Sequence, residues 1–184
     1  ERVAFVLHDM FALSFDEIAP IVGRAPTAAR QLASRARRRV SGAPADAVAA
    51  DRARQREIVG AFLAAARGGD FAALLAVLDP DVVLRADAPA VAFTRANAGP
   101  DIPALEPETR GHDAVAATFK GRAKAAQLAL IDGEVGLVIA PAGKPVTVFD
   151  MIVDGGRIVE ISIIADPAAI AALAVESTAS PSTS

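Results

Sequence analysis

Six arginines, at positions 24, 30, 35, 37, 38 and 39, fall between Arg24 and Val40 of this chain, and no acid interrupts them. Guanidinium groups at that density suit a nucleic acid in two ways. They pair bidentately with guanine edges, and they neutralise phosphates. Gln31, inside the same run, carries the amide that pairs with adenine. The plain alternative is a solvated basic helix on an ordinary helical bundle. Three features argue for the nucleic acid: a turn written just before the run, small residues between the arginines, and charge of one sign.

The elements that must hold these side chains are legible around them. Phe15, Ile18 and Ile21-Val22 recur at helical spacing, with Ser14 as N-cap and Asp16-Glu17 in the first turn. Gly23 ends that helix where a positive φ is needed, and Pro26 stands where the next begins. A second helix is predicted from about Thr27 to Val40, with Ala28, Gln31-Leu32 and Arg35 one to two turns apart. A short helix, a tight turn and a basic helix make a helix-turn-helix that reads a major groove.

Composition bounds the rest. A chain of 184 residues admits one or two domains, and 53% apolar residues can form a real core with eight Phe and no Trp or Tyr. The absence of cysteine excludes a disulfide framework and a thiolate metal site. Apolar runs end well short of membrane-spanning length and no signal peptide is visible, so no membrane partner is expected and residence is cytoplasmic. The net charge of −3 conceals a basic beginning offset by later acids.

Ser41 to Ala50, SGAPADAVAA, reads as a linker (41–50). Asp51 then caps a helix, DRARQREIVGAFLAAARGG, with Ile58, Phe62, Leu63 and Ala66 on one face. Asp70 caps a short helix that Pro80 ends, and residues 81–87 form a strand. Residues 88–110 are expected to be loop, with 91–95 as a short strand, followed by a helix over 114–126. Four strands follow, 127–132, 134–140, 146–154 and 157–166, with hairpin turns at Gly133, Gly143 and Asp154-Gly155-Gly156. A small helix over 167–175 and a disordered polar tail over 176–184 complete the order. Helices, a strand, an irregular segment, a helix and a four-stranded antiparallel meander make an α+β class, the sheet curving round the first helix as an open cone.

Residues 1–40, ERVAFVLHDMFALSFDEIAPIVGRAPTAARQLASRARRRV, resemble the second half of region 4 of an extracytoplasmic-function sigma factor. The likeness rests on the ERVAFVLHDMF helix, the S-F-D-E-I-A opening and the T-x-x-R-x-x-x-S-R-A-R-R spacing. It implies recognition of the promoter −35 element and docking on the RNA polymerase core. Carried onto this chain, it puts Arg30, Gln31, Ser34 and Arg35 at base edges and Arg24, Thr27 and Arg38 on the DNA backbone. It also implies that region 4 lacks its beginning here and that region 2 is absent. Residues 51–175 resemble SnoaL-like domains of the nuclear-transport-factor-two-like superfold, on R-x-x-x-x-F-L-A-A-A-R-x-G-D-F-x-A-L-L-A-V-L-x-P-D-V-V-L and V-D-G-G-R-I-V-E-I. Together the two are similar to the sigma-J type, whose fused domain contacts the sigma regions and tunes their activity. The apolar corner Asp166 to Leu173 is expected to share in that intramolecular contact. Two motifs of that group are replaced here, by Asp87-Ala88-Pro89-Ala90-Val91 and by Asp166-Pro167-Ala168-Ala169-Ile170.

The cone offers few groups for chemistry. Asp150 shares a strand face with Val146, Val148 and Ile152; Glu160 and Ser162 share one with Ile158 and Ile164. A buried Asp150 partnered by His112 or Arg95 would make a general base for a carbon acid, so these three form the candidate pocket. Against this, Asp132 and Asp154 suit turns before Gly, His112 suits a helix start, and Asp150 suits the sheet's outer side. Neither histidine has a metal-binding spacing and no Gly-rich phosphate loop is present, so no metal and no cofactor is expected. The sequence therefore reads as the part of an alternative sigma factor that reads the −35 element, with a SnoaL-like regulatory domain and no catalysis. The competing readings are a SnoaL-like cyclase or isomerase and a ligand-binding transcriptional regulator.

Overall fold

The computed structural model describes residues 2–11, 13–22, 29, 33, 45–99 and 104–177, in two units, Glu1–Ala50 and Asp51–Ser184. In the first unit, α1 (Arg2–Asp9) and α2 (Phe15–Val22) flank a short turn. Ser14 starts α2 with a reciprocal cap. Its N–H and hydroxyl donate to Glu17 Oε2 at 2.9 and 2.7 Å, while the Glu17 N–H reaches Ser14 Oγ at 3.4 Å. These bonds hold the Glu17 carboxyl below its ordinary pKa, the Ser14 side chain contributing most. Ala4, Ile18, Ala29 and Ala33 form a small buried core, with Leu7 and Leu13 against it.

The helix α3 (Ala45–Gly68) leads into the second unit and takes in residues 45–50 of the expected linker. Five of the six residues at 45–50 are alanine or valine, and alanine favours helix enough to carry the element back to Ala45. Asp51 is consequently an interior residue of α3, accepting a bond from Gln55 Nε2 at 3.2 Å, and caps nothing. Asp70 caps α4 (Phe71–Val77), accepting from Ala73 N–H. The chain then passes directly into β1 (Leu78–Ala86), so Pro80 lies within a strand. It falls where the pairing of β1 with β6 is irregular, between Leu78 and Val83, and no ladder bond needs its missing N–H.

Residues 88–96 correct the expected loop and short strand. They form a helix, α5 (Ala88–Ala96), begun by Asp87, whose side chain accepts from Ala90 N–H, and by Pro89 in the first turn. Next come β2 (Glu108–Arg110) and α6 (His112–Phe119), shorter than the expected 114–126 helix because Gly121 takes φ +75°. The meander is observed as β3 (Gln127–Ile131), β4 (Glu134–Ile139), β5 (Thr147–Asp154) and β6 (Arg157–Ile164). The final helix, α7 (Pro167–Ala171), is shorter than expected, and β7 (Val175–Ser177) occupies the start of the expected disordered tail. Residues 178–184 lie outside the described residues.

The strand order is β2-β1-β6-β5-β4-β3-β7, with β1 parallel to β6 and every other pair antiparallel. The α+β class with a curled sheet is thus borne out. One sheet face meets the helices. Val59, Phe62 and Ala66 of α3 bury against Leu84, Leu137, Phe149, Met151 and Ile161. Phe62, Phe119 and Phe149 form an edge-to-face series with centroids 5.0 and 6.2 Å apart. The other face has a smaller apolar cluster of Ala129, Ile131, Val138, Val148 and Ile170. No helix among the described residues is long and apolar enough to cross a membrane.

Candidate functional sites

The seven residues expected at DNA, Arg24, Thr27, Arg30, Gln31, Ser34, Arg35 and Arg38, lie outside the described residues. Their support is partly visible. Ala29 and Ala33 are helical, one turn apart, and 0% and 1% exposed beside Ile18. Only residues this small let a helix approach α2 so closely. His8 ties the end of α1 to the chain before α2, with Nδ1 2.9 Å from Leu13 O. Val3, Met10, Phe11 and Ile21 remain largely exposed, an apolar set that the small core of this unit does not absorb.

The candidate pocket is not assembled as the sequence suggested. Asp150 is buried, 5% exposed, but stands opposite Ser162 on β6, and Val148 of the same strand face belongs to the small cluster. Its strand neighbours Phe149 and Met151 point into the helix-covered core, so Asp150 faces the other way. Arg95 and His112 belong to α5 and α6, whose buried residues Val91 and Val115 join that helix-covered core. Arg95 is exposed and pairs with Glu106 at 3.4 Å. His112 starts α6 and meets the neighbouring Asp113 at 3.0 Å. A general base with its orienting partner is therefore not formed by these three, because the sheet separates Asp150 from the other two.

The polar groups that do come together follow the register of the sheet's second face. Asp150 opposes Ser162, Ser162 also opposes Arg85 of β1, and Ile152 opposes Glu160. Arg85 reaches Glu160 through Nη1 at 2.9 Å and Glu108 of β2 through Nε at 3.2 Å. Ser162 Oγ donates to Glu160 Oε1 at 3.5 Å. Ile158 does not share this face, contrary to the alternation in the sequence. The register of β5 on β6 shifts between Ile152 and Val153, which leaves Val159 unpaired and turns Ile158 into the main core. Alternation alone cannot reveal a bulge, whereas a partner for Glu160 is legible in sequence: Arg85 interrupts the apolar run Val82 to Ala86. Among the described residues no cluster of three or more His, Asp or Glu suits a metal ion.

The corner at Asp166 packs on its own unit. Ile170 and Leu173 turn onto the second face of the sheet, so its larger apolar side chains are taken up within the unit. The exposed residues there are Pro167, Ala168, Ala171 and Ala172.

Residues 1–40 match the family described as Sigma-70, region 4. The chain is 38% identical over 148 residues to the ECF RNA polymerase sigma factor SigJ of Mycobacterium tuberculosis, covering 76% of this chain and 44% of that protein. It is 42% identical over 88 residues to the probable ECF RNA polymerase sigma factor SigI of the same species, covering 48% of this chain and 30% of that one. The chain thus spans less than half the length of these relatives. The crystal structure of the Mycobacterium tuberculosis factor SigJ aligns at 32% identity over 90% of this chain and 57% of that one, with a TM-score of 0.45. An NTF-2 like protein of unknown function from Burkholderia xenovorans aligns at 20% identity over 60% of this chain and 81% of that one, with a TM-score of 0.38.

Proposed function

We propose that this chain, which is related to extracytoplasmic-function sigma factors of the sigma-J type, is the −35-reading and regulatory part of an alternative sigma factor. The observation that carries the reading is the pairing of a region 4 match over residues 1–40 with identity to a SigJ protein that continues far beyond it. The first unit supports it physically. Ala29 and Ala33 are buried on α2, and on the helix we propose for 27–40 the positions 31, 34, 35 and 38 fall on the opposite side. Arg30, Gln31, Ser34 and Arg35 are the base-edge residues of this reading, and Arg38 with Arg24 and Thr27 grips the backbone. The exposed Met10, Phe11 and Ile21 offer an apolar surface for the polymerase core.

The second unit, SnoaL-like in its sequence motifs, regulates these steps from the same chain by contacting the sigma regions. It carries no chemistry of its own: Asp150 has neither His112 nor Arg95 on its face of the sheet. Promoter DNA and the RNA polymerase core are the partners of the chain as a whole, and it works in the cytoplasm. The test uses the intact protein with core RNA polymerase. Promoter-specific transcription with protection of a −35 element is expected, and loss of residues 51–177 should alter its level. A palindromic footprint formed without polymerase would replace this reading by a ligand-gated regulator. Turnover of a small carbonyl compound, lost in Asp150→Asn, would replace it by an enzyme.

A further inference from the structure

The parallel strands β1 and β6 end side by side, and an aspartate follows each and starts a helix. The two helices leave for opposite faces of the sheet. α5 places Ala90 and Val91 in the helix-covered core, while α7 places Ile170 on the second face. Asp87 ties the fork. One of its oxygens accepts the Ala90 N–H at 2.8 Å, and the other accepts those of Ala165 and Asp166, each at 2.8 Å. Its own N–H donates to Ile163 O at 3.0 Å. A carboxylate with three backbone donors is a strong and directional anchor.

From this root, residues 165–177 travel from β6, third of the seven strands, past β5 and β4 to the outer edge of β3, where β7 pairs. The far end is held by a second aspartate. Ala174 N–H donates to Asp132 Oδ1 at 2.9 Å, and Asp132 N–H donates to Ala174 O at 2.7 Å. Between the two ends Ile170 is the one buried residue; Pro167, Ala168, Ala171 and Ala172 are exposed. Beneath lie Ala129, Ile131, Val138 and Val148, none more than 1% exposed. A segment fixed by one buried side chain, the partly buried Leu173 and Val175, two carboxylates and a three-residue ladder to β3 opens at lower cost than the long-stranded sheet it covers. Opening it uncovers the apolar side chains of Ala129, Ile131, Val138 and Val148.

We propose that residues 165–177 form a releasable strap, latched at its root by Asp87 and at its far end by Asp132, whose opening is the step through which the second unit alters transcription. The last clause rests on the function proposed above. Asp87→Asn keeps an acceptor for the α5 cap but turns an amide N–H toward two backbone donors. Asp132→Gly keeps the left-handed backbone, φ +53° in the parent, and removes the acceptor. The readout is hydrogen exchange at the Ile170, Ala172 and Leu173 amides, which bond to Asp166, Ala169 and Ile170 carbonyls and not to either latch. Exchange there should rise at least about tenfold in each variant while the Met151 and Ile161 amides stay unchanged. No rise in either variant overturns the strap.

Transcription by the intact protein separates the two layers. The chain has no cysteine, and Leu130 directly opposes Glu176, so L130C/E176C gives one possible disulfide across β3 and β7. Asp87→Asn should change promoter-dependent transcription several-fold, and the oxidised disulfide should return it to the parent level. Strap opening without a change in transcription, or a change that the disulfide does not reverse, overturns the strap as a control step. The region 4 reading stands or falls separately, on its own footprint.

Discussion

Arg35 and Arg38 lie three residues apart in one basic run and are assigned different work. In the proposed helix Arg35 meets a base edge and Arg38 a phosphate, and the two contacts respond differently to salt and to sequence. Arg35→Ala should cost about 1–3 kcal/mol on the cognate −35 element and relax sequence preference. Arg38→Ala should weaken all sequences alike and reduce the slope of log affinity against log salt by roughly one. A salt titration of both variants on cognate and scrambled duplexes checks this; equal loss of preference from both removes the assignment. Ser14 and Glu17 carry a second prediction at this scale. The Glu17 carboxyl is held below its ordinary pKa by Ser14, so the cap is fully present above the unfolded value and is lost as pH falls through the folded one. The first unit should therefore lose stability on acidification, and Ser14→Ala should flatten that response, as read by amide signals of α1 and α2 across a pH series.

At the scale of elements, Gly136 on β4 has the least room for a side chain among the described glycines. A Cβ built there lies 2.6 Å from Phe149 O and against Ile131 Cδ1 of the neighbouring strand. The carbonyl is backbone and cannot yield as a flexible side chain would. Gly136→Ala should therefore destabilise the second unit by roughly 1–3 kcal/mol, seen as a lowered midpoint in denaturant. Gly136 lies within the expected strand 134–140, and nothing in the sequence marks the close approach of Phe149 O there. The four meander strands were legible because β-branched residues alternate between Gly turns, and their observed ends lie within two residues of those expected. α5 was misread although its signal was present: Asp87 followed two residues later by Pro89 is a helix start, and the prolines beyond it drew the reading toward loop. The linker helix was hidden by alanine, which marks a small-residue linker and a helix equally well. Strand β7 gave no signal, since three residues carry no period. The candidate pocket failed for a related reason, because which face of the sheet the helices cover is a tertiary choice that strand alternation leaves open.

For the molecule as a whole, the division between units can be tested through its cores. The main buried cluster begins at Val59, with Ile58 against it, and ends at Ile163, and the smaller cluster on the sheet's second face runs from Ala129 to Ile170. Among the described residues, neither draws one from before Ile58. The first unit has its own core of Ala4, Ile18, Ala29 and Ala33, too small to rank with the other. A chain starting at Ala45, which keeps the whole of α3, retains every buried side chain of the second unit. It should unfold cooperatively, with a thermal midpoint within a few degrees of that of the same unit in the longer chain. Starting instead at Ile58 removes about half of α3 without touching the buried cluster, yet frays the turn that precedes Val59 and leaves Phe62 on a short helix. That shorter form should lose several degrees more. Calorimetry on the two truncations decides the matter: a chain from Ala45 that melts without a cooperative transition would mean that the second unit depends on the first for its fold. Under the proposed function, a second unit that folds by itself could respond to its own strap while region 4 keeps reading DNA, whereas one that depends on region 4 could not be switched without unfolding both.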